Sequence, residues 1–330
     1  MVQIKKDRRR FIKSSIMGGA AISLPLINPN RLEVINSNNK INKIGIIGLD
    51  TSHSEVFTRL INEDKINKKF RVIAAYPHGS EDIPSALQMK PNITKAVQEL
   101  GVKIVDSIDE LIENVDFVLL ESNDGRVHYE QALPVLQAGK IMFIDKPLAH
   151  NLEDAKKIYE MSEKYNTPIF SSSALRYEKS VQEVLSGKFG KILGVDVYTP
   201  AGIEESHIDM AWYGIHGVEM LFTLLGKGCQ KVIRTHTQDT DVVTGVWNDE
   251  KIGNLRGIRV GAADIAGIAF CENKIVPIGP FSGYLPLVKE ILEFFDSGIP
   301  PVEKDETIEI FKFMHAADKS KLSSTYQLLE

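Results

Sequence analysis

The chain has 330 residues, 43% hydrophobic and 25% charged, with 39 Lys and Arg against 44 Asp and Glu. These proportions exclude disordered, collagen-like and disulfide-scaffold classes, and the length suits two domains. A net charge of −5 argues against nucleic-acid binding, which needs a basic footprint, and no apolar run is long enough for a membrane span.

The first element is an address. Arg8-Arg9-Arg10-Phe11-Ile12-Lys13 matches the twin-arginine export pattern R-R-x-F-[L/I]-K, and an uncharged run rich in Gly and Ala follows over residues 16–27. A basic flank before a short apolar run is the layout of a cleaved signal, so residues 1–27 are expected to direct export to the periplasm. Residues 28–42, rich in Asn, read as a polar linker. Losing residues 1–27 removes six basic residues and one acidic residue, which takes the net charge from −5 to about −10. Cys229 and Cys271 fall in strand-like segments; two cysteines make no framework, and their pairing is left open.

Over residues 43–147 strands and helices alternate. Apolar runs at 43–49, 70–76, 103–105, 115–120 and 140–144 read as strands, with amphipathic stretches at 54–62, 92–100 and 127–138 between them. Ser107 and Glu110 form a capping box opening one further helix. This alternation predicts an α/β domain, a Rossmann-type doubly wound parallel sheet covered on both faces. Over residues 148–330 a helix at 152–165, a strand at 168–172 and a helix near 178–186 lead into strand-like segments at 192–198, 231–237, 241–247, 257–260 and 265–271. A helix at 215–225 interrupts them, and helices at 285–295 and 305–320 close the chain. This half predicts an α+β domain with a large open mixed sheet.

The first strand-turn-helix is the place for a dinucleotide-binding G-x-G-x-x-G fingerprint, but Gly48-Leu49-Asp50-Thr51-Ser52-His53 keeps only the first glycine. Asp50 would bring a carboxylate toward a pyrophosphate, while Thr51, Ser52 and the helix N–H groups can cradle a phosphate. A structural N-cap turn explains the segment equally well. Residues 76–80 offer neither an acid for a ribose 2′-OH nor an Arg for a 2′-phosphate, which leaves NAD and NADP undecided. Further along, Glu121, Ser122, Asn123, His128 and Asp145-Lys146-Pro147 fall at carboxyl ends of strands, where ligands of such sheets bind. A lysine held there between Asp and Pro is suited to hold or protonate a substrate hydroxyl, although a lone Lys is by default a solvated ion-pair partner.

Residues 115–151 resemble the glucose–fructose oxidoreductase/inositol dehydrogenase (Gfo/Idh/MocA) family, whose hallmark E-K-P tripeptide is matched by Asp145-Lys146-Pro147 after Ala138-Gly139-Lys140. The resemblance continues in Leu175-Arg176-Tyr177, in the glycine-punctuated residues 187–194, in residues 214–226 and in the tail from Gly283-Tyr284 to Ser320. It implies hydride exchange between NAD or NADP and a sugar or polyol. It also implies that Lys146 and His216 are catalytic, and that cofactor contacts come from Gly48, Asp50, Thr51, Ser52, His53, Ser122, Asn123, His128, Asp145, Lys146 and Arg176. Tyr177, His207, Asp209 and Trp212 join Lys146 and His216 as expected substrate contacts, and subunits are expected to pair through the second sheet.

Two positions depart from the family pattern: Trp212 stands where an Asp precedes the His, and Glu219 where an Asp follows it. With Asp50, they motivate an alternative, a non-redox carbohydrate-binding protein on the same scaffold. A metal site from His207, Asp209, His216 and Glu219 would need ligands at looser spacing than is usual, and no metal is expected.

Overall fold

Short runs of Ile, Val, Leu and Phe, buried on both sides, build the first sheet. A computed structural model describes residues 41–63 and 68–329; the twin-arginine pattern, the apolar run and the expected linker up to residue 40 lie outside the described residues. The strands are β1 (Asn42–Ile47), β2 (Phe70–Tyr76), β3 (Lys103–Ile104), β4 (Phe117–Leu120), β5 (Met142–Ile144) and β6 (Ile169–Phe170). They lie parallel in the order β3-β2-β1-β4-β5-β6. Ile44, Ile46 and Ile47 of β1 are all fully buried, the continuous apolar text of a strand covered on both faces. The chain reverses direction across the sheet between β1 and β4, which opens a crevice at their carboxyl ends.

Helices α1 (Ser52–Asn62), α2 (Pro84–Glu99), α3 (Ile108–Asn114), α4 (His128–Gln137) and α5 (Leu152–Lys164) connect these strands. Their starts are set locally. Thr51 caps α1, Ser107 accepts the Glu110 amide at 3.0 Å to cap α3, and Asn151 accepts the Asp154 amide at 2.8 Å to cap α5. α2 starts eight residues before the expected 92, because Pro84 occupies the first helical turn and Pro91 is accommodated inside the helix with its side chain exposed.

The second half holds a 3-10 turn at Ala174–Tyr177, α6 (Lys179–Leu185), β7 (Ile192–Pro200), α7 (Ile215–Leu225), β8 (Cys229–His236), β9 (Thr240–Trp247), β10 (Ile252–Ile258), β11 (Ala266–Cys271) and β12 (Ile275–Ile278). It ends with α8 (Leu285–Ser297), α9 (Lys304–Ser323) and β13 (Gln327–Leu328). Seven strands form the expected open mixed sheet, in the order β12-β11-β7-β10-β9-β8-β13, with β7 and β10 parallel and the other pairs antiparallel. Side chains alternate along β7 and β9, the period of a sheet with one dry face. α7 and α9 cover that face, while Leu193, Tyr198, Ile252, Ile268 and Ile275 stand exposed.

The two halves interlock. β6 extends the first sheet past residue 147, and α8 returns from the far end of the chain to cover that same sheet. Phe294 lies 4.9 Å from Phe170 and Phe295 stacks 4.8 Å from Phe117, and Leu287, Val288 and Ile291 share a core with Ile44, Ile46 and Phe57. Cys229 and Cys271 are both free: β9, β10 and β7 separate their strands, about 19 Å at the usual strand spacing and far beyond disulfide reach.

Candidate functional site

The turn after β1 is shaped by contacts with the ends of two other strands. Gly48 has φ +89°, and a Cβ there would stand 2.4 Å from the Ser122 amide nitrogen, so the β1–α1 turn presses directly on the loop after β4. Asp50 is fully buried. Its carboxylate accepts the Ser80 amide at 2.7 Å and the Asn123 amide at 3.0 Å, which ties the loops after β1, β2 and β4 together. The carboxylate fills the space beside Gly79, where a Cβ would lie 2.2 Å from its Oδ2. Burial pushes the Asp50 carboxyl up, against the two amides that favour its charged form. Thr51 is nearly buried, whereas Ser52, at the start of α1, is exposed.

His53 takes the third-glycine position and turns inward. Its Nδ1 lies 2.6 Å from Asp145 Oδ2 at the end of β5, and its Nε2 lies 2.9 Å from the Tyr284 hydroxyl. Glu121, one residue past β4, is fully buried in the same cluster, and neither of its carboxylate oxygens has a hydrogen-bond partner; Asp145 Oδ1 is equally unpartnered. Burial, reinforced by Asp145, raises Glu121 well above the usual carboxylate range, with Lys146 acting the other way. Burial also acts to raise Asp145, but His53 and Lys146 outweigh it and hold that carboxyl below its ordinary value.

Lys146 follows at the carboxyl end of β5, before a cis peptide to Pro147. It is 9% exposed, and its ammonium lies 5.7 Å from the centre of the half-exposed Tyr213 ring. The His216 ring lies 6.3 Å from the same Tyr213 ring, with Nδ1 2.7 Å from Ser173 Oγ. Burial, and then the Lys146 charge, hold the His216 imidazole well below its ordinary value, so the ring is neutral near pH 7. Lys146 and His216 thus both approach the Tyr213 ring at the crevice.

The other expected contacts divide. Ser122 donates to Gln131 at 2.6 Å and lines the turn after β4, with Asn123 beside it. His128 braces the crevice from behind, its ring nitrogens meeting the carbonyls of Ser122 at 2.7 Å and Leu148 at 3.1 Å. Buried His207 accepts the Gly125 amide on Nε2 at 3.1 Å, and Trp212 packs 5.2 Å from the His207 ring. Arg176 and Asp209 are engaged in ion pairs of their own. Arg176 is buried in ion pairs with Glu219 at 3.1 Å and Glu306 at 2.7 Å, and Asp209 is held by Arg234 at 2.9 Å and Lys321 at 2.8 Å. A guanidinium and a carboxylate held in such ion pairs are poor ligands for a cofactor or a sugar. Tyr177 packs half-buried against the core of the first sheet.

Sequence reasoning missed Ser173 and Tyr284 as members of the site, and it placed Glu121 at a strand end without its partners. The signal for the buried cluster was present in part: His53 where the fingerprint has glycine, and Asp145 where the tripeptide has Glu, are the two departures that meet at 2.6 Å.

Residues 42–173 match a family described as an oxidoreductase family with an NAD-binding Rossmann fold, GFO_IDH_MocA. An uncharacterized oxidoreductase of Streptococcus pneumoniae is 23% identical over 146 residues, covering 42% of this chain and 40% of that protein. The chain spans about two fifths of the length of the first curated relatives it matches. Two solved structures share the whole fold. A probable dehydrogenase from Thermotoga maritima aligns with a TM-score of 0.71 at 20% identity, covering 87% of this chain and 98% of its own. The myo-inositol dehydrogenase from Lactobacillus casei, solved in complex with NAD(H) and myo-inositol, aligns with a TM-score of 0.70 at 16% identity, covering 88% and 97%.

Proposed function

We propose, from the match of residues 42–173 to the Gfo/Idh/MocA oxidoreductase family with its NAD-binding Rossmann fold, that the chain exchanges a hydride between a nicotinamide cofactor, NAD or NADP, and a hydroxyl-bearing carbon of a sugar or polyol. The observation that carries this reading is the convergence of Lys146 and neutral His216 on the Tyr213 ring, at the carboxyl end of a parallel strand.

The residues at the start of α1 fit a dinucleotide. Asp50, at the second-glycine position, is internal and engaged by two amides, so it sets no free charge against a pyrophosphate. Thr51, exposed Ser52 and the first amides of α1 would hold the phosphates, bordered by Ser122 and Asn123. A nicotinamide bound there supplies the hydride acceptor or donor. Lys146 then holds the substrate oxygen and stabilises the negative charge that develops on it. The hydroxyl proton passes to His216 in oxidation and returns from it in reduction, while Ser173 orients the ring through Nδ1.

Titration of the full chain with NADH and NADPH, followed by calorimetry and nicotinamide fluorescence, tests the reading. Saturable binding of one of them is expected. Lys146→Met should keep that binding and lose about 100-fold or more in kcat with a polyol substrate. Binding of neither nucleotide sinks the proposal. That result, with sugar binding retained, would favour a non-redox carbohydrate-binding protein.

Two further parts of the reading rest on the sequence and the second sheet. Arg8 to Lys13 support export by the twin-arginine route to the periplasm, which fractionation of expressing cells checks by following the full chain. No helix among the described residues is long and apolar enough to cross a membrane. The exposed row Tyr198, Ile252, Ile268 and Ile275 supports self-association through the second sheet, and light scattering of the purified protein reads it directly.

A further inference from the structure

We propose that His53, Glu121 and Asp145 form a binding site for one first-row divalent cation of the zinc or manganese class. One ligand atom from each of the three residues lies within 4.8 Å of the other two, at the carboxyl ends of β4 and β5 and the start of α1. Hydrogen bonding explains only part of the cluster. His53 meets Asp145 Oδ2, but Glu121 Oε1, Glu121 Oε2 and Asp145 Oδ1 are buried with nothing to accept from. Buried carboxylate oxygens without partners are strongly unfavourable. The neighbouring Lys146 ammonium lies over the Tyr213 ring and makes no hydrogen bond to either carboxylate.

A divalent cation answers this charge and these open lone pairs together: two carboxylates balance it, and one imidazole nitrogen with carboxylate oxygens is a donor set that zinc and manganese accept. Ligation through His53 Nδ1 leaves Nε2–H to donate to the Tyr284 hydroxyl at 2.9 Å, the outer hydrogen bond that usually fixes a metal-bound histidine. Ligand atoms sharing a tetrahedral zinc stand about 3.4 Å apart, so the 2.6 Å contact between His53 and Asp145 has to open by less than an ångström. The competing arrangement is a single proton shared between Glu121 and Asp145, which leaves at least one oxygen without a partner.

The test is metal analysis of the full chain purified without chelator, then calorimetric titration of chelator-stripped protein with ZnCl2 and MnCl2, with melting followed throughout. Expected are about one ion per chain, a lowered melting temperature on stripping, and its recovery on adding the metal back. Glu121→Gln and His53→Gln should each lower metal affinity at least tenfold, whereas Asp209→Asn, outside the cluster, should not. Wild-type protein that arrives metal-free, takes up neither ion and melts the same before and after stripping overturns the proposal, and the wild-type measurements decide even where a variant fails to fold. None of these readings depends on turnover, so they stand apart from the fate of the redox assignment.

Discussion

At His216 the sign of the pH dependence follows from its surroundings. Burial first, and the Lys146 ammonium second, disfavour the imidazolium, so the neutral ring persists below the usual histidine range. For oxidation of an alcohol the neutral ring is the proton acceptor. The profile of kcat/KM should therefore stay level from pH 8 down past about 6.5, the ordinary histidine value, and fall only below it. Lys146→Met removes one of the depressing influences and should move the inflection upward. A wild-type inflection at pH 7 or above would contradict this role. Lys146 and His216 were legible in the text because a short motif surrounds each of them. The orientation of Asp50 was not, since it depends on amides 30 and 73 residues away in the chain. Tyr284 and the partners of Glu121 were hidden for the same reason: only the parallel crossovers bring β4, β5, α1 and the start of α8 to one point.

Among the elements, β8, β9 and α9 are joined by an ion network centred on Arg234. Its buried guanidinium meets Asp241 at 2.8 Å, Asp318 at 2.7 Å and Asp209 at 2.9 Å, and Arg259 and Lys321 close the rim. Three carboxylates share this one internal cation, and Asp318, pushed up to about 6 by burial and then by Asp209, shows how narrowly they are balanced. Arg234→Met should cost about 3–5 kcal/mol, the range for removing one partner of a buried ion pair, read by urea unfolding. A loss under 1 kcal/mol would mean that Arg259 and Lys321 suffice. The text marked well those elements whose periodicity is unbroken: α7 spans residues 215–225 as expected. It hid the first half of β10, where Gly253 and Asn254 lower strand propensity and pairing with β7 and β9 supplies what the residues lack. β12 and β13, four and two residues long, carry too few positions to show any period.

Across the whole molecule, His207 links the segment before α7 to the first sheet. Its Nδ1–H donates to Ser206 Oγ at 2.9 Å and its Nε2 accepts the Gly125 amide at 3.1 Å, so a second ring proton would displace that amide. Burial accordingly lowers this histidine to about 4 from its ordinary value of 6.5. The unfolded chain then binds the proton more readily than the native one between those values. The stability His207 contributes is complete above about 6.5 and is lost as pH falls toward 4. Against a His207→Gln variant, the wild-type melting temperature should fall relatively as pH drops through that window, and parallel curves for the two proteins would refute the assignment.

The return of α8 to the first sheet also sets the order of events at the ribosome. Phe70, Phe117 and Phe170 are synthesised early, yet their aromatic partners Phe294 and Phe295 emerge only much later. The cover of the first sheet is therefore completed by residues more than a hundred positions downstream of its final strand. A nascent chain stalled before Leu285 would present those rings to water.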